Sequence, residues 1–176
     1  MTINSVDDLL ALLATGAGVD DGEVIFLLDH MLQSAALLAE RAPEDTELQV
    51  AGLVHDLGWM LTDDPARHAT TGAKAVEPLL GPRVAALVQG HDHAKRYLVS
   101  TDPEYRSQLS ETSVVTLVFQ GGDMGAEEQA EFEAHEHFAS LVTLRRADDA
   151  AKVPARIVPA LDTWRATLDE VAAAQA

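Results

Sequence analysis

His55-Asp56, followed by the turn Leu57-Gly58, sets side by side two side chains suited to holding a pair of metal ions. An imidazole binds one ion terminally. A carboxylate has two oxygens and can bridge from that ion to a second. Such dipeptides also arise by chance, so the pair gains its meaning from company: His30 precedes it, His68 and His91 follow, and Asp148 comes much later. His30, His55, Asp56, His68, His91 and Asp148 are therefore the metal-ligand candidates, with His55 and Asp56 at the catalytic centre. Imidazole and carboxylate suit several metals, so the donor types alone do not select one. His93, His135 and His137 fall outside this order and are read as solvated or local.

Further polar residues recur one helical turn from these candidates. Glu23, His30 and Gln33 share a face if one helix carries them. Lys95 lies four residues after His91, Arg145 lies three before Asp148, and Ser113 and Thr116 are three apart. This pattern suits a small anionic substrate beside two metals, with Lys95 and Arg145 as its clamp and Ser113, Thr116 and Glu23 completing the contacts. Taken alone, Lys95-Arg96 reads as a solvated basic step, Arg145-Arg146 as a surface pair, and Glu127 to Glu131 as a solvated face.

The elements that must position these groups read as helices almost throughout, so the expected fold class is all-α. Val24, Leu27, Leu28, Met31, Leu32, Ala35 and Leu38 recur at helical spacing. A second helix is predicted from about Thr46 to Met60, with Thr46 as its cap after Pro43. Thr62-Asp63-Asp64-Pro65 is a break, a third helix covers about 68–80 and stops at Gly81-Pro82, and a fourth covers about 83–91. Asp102-Pro103 opens a short segment. Ser110 caps a helix whose apolar residues are Val114, Val115, Leu117, Val118 and Phe119, ended by Gln120-Gly121-Gly122. The last two helices are predicted over 138–152 and 157–174. With no repeat or linker, residues 1–176 read as one domain with its core over about 20–153 and a C-terminal helix at about 157–174.

Composition narrows the partners. Twelve basic against twenty-nine acidic residues give a formal net charge of −17, a surface that repels nucleic acid and anionic membrane. An anionic substrate then needs a local basic pocket. The absence of cysteine rules out disulfides and thiol catalysis. Met1-Thr2-Ile3-Asn4 has no basic region before a long apolar run, and no apolar run is long enough for a bilayer, so a cytoplasmic protein is expected. No pattern sets an oligomeric state.

The motifs together resemble the HD-domain superfamily, and within it the mixed-valent di-iron oxygenases that cleave carbon–phosphorus bonds, with myo-inositol oxygenase a more distant likeness. The segments that carry the likeness are Leu28-Asp-His-Met-Leu-Gln33, Leu53-Val-His-Asp-Leu-Gly58, His91-Asp-His-Ala-Lys-Arg-Tyr-Leu98, Leu109-Ser-Glu-Thr-Ser113, Gln120-Gly-Gly122 and Leu144-Arg-Arg-Ala-Asp-Asp-Ala-Ala-Lys152. The resemblance implies a helical bundle with the metal site in its core. It implies that His30, His55, Asp56, His68, His91 and Asp148 hold two irons as an Fe(II)/Fe(III) pair bridged by Asp56. Lys95, Ser113, Thr116 and Arg145 would then hold a phosphonate, Glu23 would face the far end of the substrate, and Gln33 would support the ligands from behind. The implied reaction uses dioxygen to split a hydroxylated organophosphonate into phosphate and a carboxylate. Two positions depart from the pattern. The family often has Tyr-x-Gly-Glu where this chain has Asp20-Asp21-Gly22-Glu23, and His where it has Trp59. Trp59 is expected to face the pocket, where its ring can pack on a methylated ammonium group.

Two other readings use the same residues. The ligands can hold Mn, Mg, Zn or Ni and activate a water against a phosphate ester or nucleotide, as a metal-dependent phosphohydrolase does. A degenerate domain that senses a small molecule is the non-enzymatic reading, and the intact ligand set argues against it.

Overall fold

In the computed structural model the described residues are 3–20 and 22–175, so Asp21 of the Asp20–Glu23 stretch lies outside them. Helices α1 (Val6–Thr15), α2 (Leu27–Arg41), α3 (Thr46–Val54), α4 (His68–Thr101), α5 (Glu111–Phe119), α6 (Ala126–Glu133), α7 (Phe138–Ala150) and α8 (Arg165–Ala173) carry the fold, and no strand occurs among the described residues. The all-α expectation holds.

Four helices build the centre. α2 packs on α3 and α7, and α4 packs on α3 and α7, while α1 and α8 close the opposite side. Leu27, Met31, Leu38, Leu53, Leu57, Leu80, Leu87, Leu141 and Leu144 are fully buried where these helices meet. Burying each such side chain contributes about 1.5–3 kcal/mol, and that burial fixes the helices on which the polar ligands sit.

Several boundaries differ from those predicted. α2 begins at Leu27, because Phe26 is extended (φ −70°, ψ 153°), so Val24 and Phe26 stand exposed in the preceding loop and Glu23 does not share a helix with His30. α3 ends at Val54 with Asp45, not Thr46, as its cap: the Asp45 side chain accepts from the Leu48 N–H. His55 and Asp56 follow α3 and lead into a 3-10 turn over Leu57–Met60. The predicted stop at Gly81-Pro82 is a kink in a longer element, since Gly81 takes φ 84° and ψ 172° and the helix resumes to Thr101, ten residues past the predicted end at 91. α8 starts at Arg165 instead of 157, and Ile157 is 97% exposed. α1 and α6 were not anticipated, although Ser5 caps α1 and Leu9, Leu10, Leu12 and Leu13 line its buried face. α5 forms where expected, with most of its apolar run turned outward. Its buried residues are Ser113 and Leu117, while Val114, Val115, Val118 and Phe119 are exposed. The polar side of this helix is turned inward because it roofs the cavity described next.

Candidate metal centre

Four imidazoles converge from two helices and a turn. His30 comes from the end of the first turn of α2, His55 from the turn directly after α3, and His68 and His91 from the two arms of α4, all with 2% exposure or less. Each ring has its Nδ1 on a backbone carbonyl: His30 on Ala151 (3.1 Å), His55 on Gly52 (2.9 Å), His68 on Pro65 (2.9 Å) and His91 on Val88 (2.6 Å). A carbonyl only accepts, so each Nδ1 carries a proton, and each Nε2 faces inward to hold either a second proton or a metal ion. The His30 and His55 Nε2 atoms lie 3.2 Å apart, and so do those of His68 and His91. Two lone pairs at that distance repel unless a proton or a cation lies between them.

Asp56 stands between the two pairs and faces each with a different oxygen. Its Oδ2 is 3.5 Å from His30 Nε2 and 3.4 Å from His55 Nε2, and its Oδ1 is 3.5 Å from His68 Nε2 and 3.4 Å from His91 Nε2. His30, His55 and Asp56 form one group able to hold a metal ion, and Asp56, His68 and His91 form a second. Asp148 joins the first, with Oδ1 3.3 Å from His30 Nε2 and 3.9 Å from His55 Nε2. Its other oxygen takes Arg145 Nη1 at 2.6 Å. Asp149, the neighbouring candidate, turns instead to the Tyr105 hydroxyl and Arg145. The donor set of imidazoles and carboxylates, with bridging geometry at Asp56, fits two metal ions.

Electrostatics agree. Burial alone would push the Asp56 carboxyl up, but the charge of His55 and hydrogen bonds from His30, His55 and His68 hold it well below the usual range. Asp148 is likewise held low against burial by Arg145 and His30. Burial works against a charge on His30, yet hydrogen bonds to Asp148 and Asp56 push it up to about 10. His91 rises to about 9 against burial, through the Asp92 charge and Asp56. These protons occupy the positions that metal ions would take, and the two compete for the same nitrogens.

Above the cluster lies a cavity of about 40 Å³ that reaches Glu23, Trp59, Lys95, Ser113, Thr116 and Lys152. Lys95 is buried, not solvated, and its Nζ donates to Thr116 Oγ1 at 2.9 Å. Burial, helped by the nearby Arg145 charge, pulls its ammonium down to about 8. Arg96, also buried, braces the Gln120-Gly121-Gly122 turn through the Gly122 carbonyl and pairs with Glu128. Arg145 lines the cavity, while its bonds go to Asp148, Asp149 and Tyr105. Glu23 reaches the cavity from the loop before α2, where Oε1 accepts from Lys152 Nζ at 2.6 Å and from Ser110 Oγ at 2.7 Å. Gln33 clasps the Val153 backbone from both sides, next to the Ala151 carbonyl that holds His30. Trp59 faces the cavity, and one face of its ring is stacked on His68 (4.5 Å, 16°). Asp20 is exposed and lines a separate surface hollow with Val24 and Phe26.

Four cavity residues were not among the candidates from sequence: Asp92, Thr112, Gln120 and Lys152. Each lies inside a quoted motif, but only the crossing of α4, α5 and the segment after α7 brings them together. His93 and His135 are exposed, as expected.

Comparison with known proteins adds relatives. A family model described as HD domain matches residues 27–119. The chain is 36% identical over 140 residues to the 1-hydroxy-2-(trimethylamino)ethylphosphonate dioxygenase (glycine-betaine-forming) of Leisingera caerulea, covering 74% of this chain and 71% of that one. It is 36% identical over 157 residues to the hydroxymethylphosphonate dioxygenase of Gimesia maris, covering 84% and 78%. An uncharacterised protein of Acanthamoeba polyphaga mimivirus is 32% identical over 175 residues, covering 93% and 80%.

Proposed function

We propose, for a chain that belongs to the HD-domain family, that it is a di-iron oxygenase cleaving the carbon–phosphorus bond of a small hydroxylated organophosphonate. The observation that carries this reading is Asp56, whose two oxygens each face a separate pair of imidazole nitrogens at 3.4–3.5 Å. In this reading His30, His55 and Asp148 would hold one iron and His68 and His91 the other, with Asp56 placed to serve both. Bound there, an Fe(II)/Fe(III) pair supplies the one-electron chemistry that activates dioxygen, for which the chain itself has no redox group.

The protein's own part is charge and position. Lys95, with Ser113 and Thr116 beside it, offers the phosphonate a cation and hydroxyl donors, and Arg145 adds its charge while it holds Asp148. Glu23 meets the far end of the substrate, where Lys152 already balances its charge. The cavity of about 40 Å³ is small and favours a substrate of few atoms. The names of the relatives give two candidates of that chemistry, one with a trimethylammonium group and one without. The small volume of the cavity favours the one without it.

Anaerobic iron loading, EPR and oxygen uptake test the reading together. About two irons per chain are expected, with the signal of a coupled Fe(II)/Fe(III) pair. Hydroxymethylphosphonate should then consume one dioxygen per phosphate released, its carbon leaving as formate. Release of phosphate from an ester with no oxygen uptake, supported by Mn, Mg, Zn or Ni, would move the assignment to a phosphohydrolase.

A further inference from the structure

The two halves of the centre are more alike than the six expected ligands imply. At the first position, the His30 and His55 nitrogens are flanked by Asp56 Oδ2 on one side and Asp148 Oδ1 on the other. At the second, the His68 and His91 nitrogens are flanked by Asp56 Oδ1 and by Asp92 Oδ1, which is 3.4 Å from His91 Nε2 and 3.8 Å from His68 Nε2. The distances match those of Asp148 at the first position, 3.3 and 3.9 Å. We propose that Asp92 is a seventh ligand, the terminal carboxylate of the His68–His91 metal position and the counterpart of Asp148. The proposal rests on the two-metal reading of the centre.

Position excludes the usual alternative role. A carboxylate that orients a ligating histidine sits behind the ring, on the nitrogen that does not bind metal. Behind His91 and His68 those places are taken by the Val88 and Pro65 carbonyls. Asp92 lies instead on the Nε2 side of both rings. Its own support is in place, because Gln120 at the end of α5 donates from Nε2 to Asp92 Oδ1 at 2.5 Å. Gln120 Oε1 is buried with no partner among the described residues, and it borders the same cavity. A water or substrate hydroxyl bound at the second metal would satisfy it. Arg145 braces Asp148, and Gln120 braces Asp92, so each terminal carboxylate has its own holder.

The chemical consequence is charge. With Asp56, Asp148 and Asp92, three carboxylates face two ions, and an Fe(II)/Fe(III) pair retains two net positive charges for the anionic substrate. Without Asp92 it would retain three and bind anions with less discrimination.

The test is stepwise anaerobic titration of the metal-free protein with Co(II), read by visible absorption, alongside iron content and EPR after reconstitution. Asp92→Asn preserves shape and Asp92→Ala removes the side chain. Circular dichroism establishes that each variant is folded. In the parent two cobalt ions bind. In both variants the second step should weaken roughly ten- to hundred-fold or more with the first unchanged, and the coupled EPR signal should fall. Two-ion binding at parental strength in both variants, with an unchanged signal, overturns the role of Asp92. Binding of only one ion by the parent overturns the two-metal reading itself, and the proposal with it.

Discussion

Lys95 connects the cavity to solution pH. Burial and the Arg145 charge pull its ammonium from 10.5 to about 8, so in the free protein it loses its charge as pH rises through that value. Bound cations push in the same direction. The ratio kcat/KM for an anionic phosphonate should therefore fall as pH rises through about 8 or somewhat below, since this ratio reports groups of the free enzyme. A charge-assisted hydrogen bond contributes about 1.5–3 kcal/mol. Lys95→Ala should thus raise KM about ten- to hundred-fold while leaving the metal content as it was. Loss of metal in that variant would show that Lys95 supports the centre and not the substrate. The place of Lys95 beside the centre was visible from its spacing to His91, one turn along a helix that proves continuous there. Lys152 was not, because the ion pair it makes with Glu23 spans 129 positions of sequence.

At the scale of elements, the centre depends on how closely the turn after α3 meets the start of α4. A Cβ added at Gly58 would lie 1.9 Å from the His68 carbonyl oxygen and 2.6 Å from its carbon. Those are backbone atoms at the first residue of α4, so they cannot swing aside. Gly58→Ala should destabilise the fold by about 1–3 kcal/mol or more and drag His68 from its place. Urea unfolding and metal analysis check both parts: one ion should be lost and the one on His30 and His55 kept. Full retention of both ions would mean that the turn has slack. The same scale explains the misread boundaries. Helical spacing marks an apolar face but not where its neighbours allow a helix to start, as Val24 and Phe26 show. α5 shows the converse, an apolar run left exposed because Ser113 and Thr116 are needed inside.

For the whole molecule, six buried candidate ligands on α2, the turn after α3, α4 and α7 would make metal binding part of folding stability. An ion present at a hundred times its Kd stabilises by about 2.7 kcal/mol. For a chain of this size that amounts to roughly 5–10 °C in Tm for each ion. A chelator should lower Tm by this amount and metal should restore it. Equal melting temperatures with and without chelator would argue that the cluster holds no cation. No helix among the described residues is long and apolar enough to cross a membrane.

The sequence by itself determined the helical class, the six candidate ligands and the anion-binding character of the residues around them, while phosphonate chemistry came from the family resemblance. It could do so because a helix repeats locally and because the donors of a metal centre are few and chemically distinctive. Tertiary structure alone decided that Lys152 meets Glu23, that Trp59 lies on His68, and that Asp92 comes to the His68–His91 nitrogens opposite Asp56. These relations depend on how α4 bends at Gly81 and where α5 and the segment after α7 cross it. They are products of long-range packing, and spacing along the chain carries no record of them.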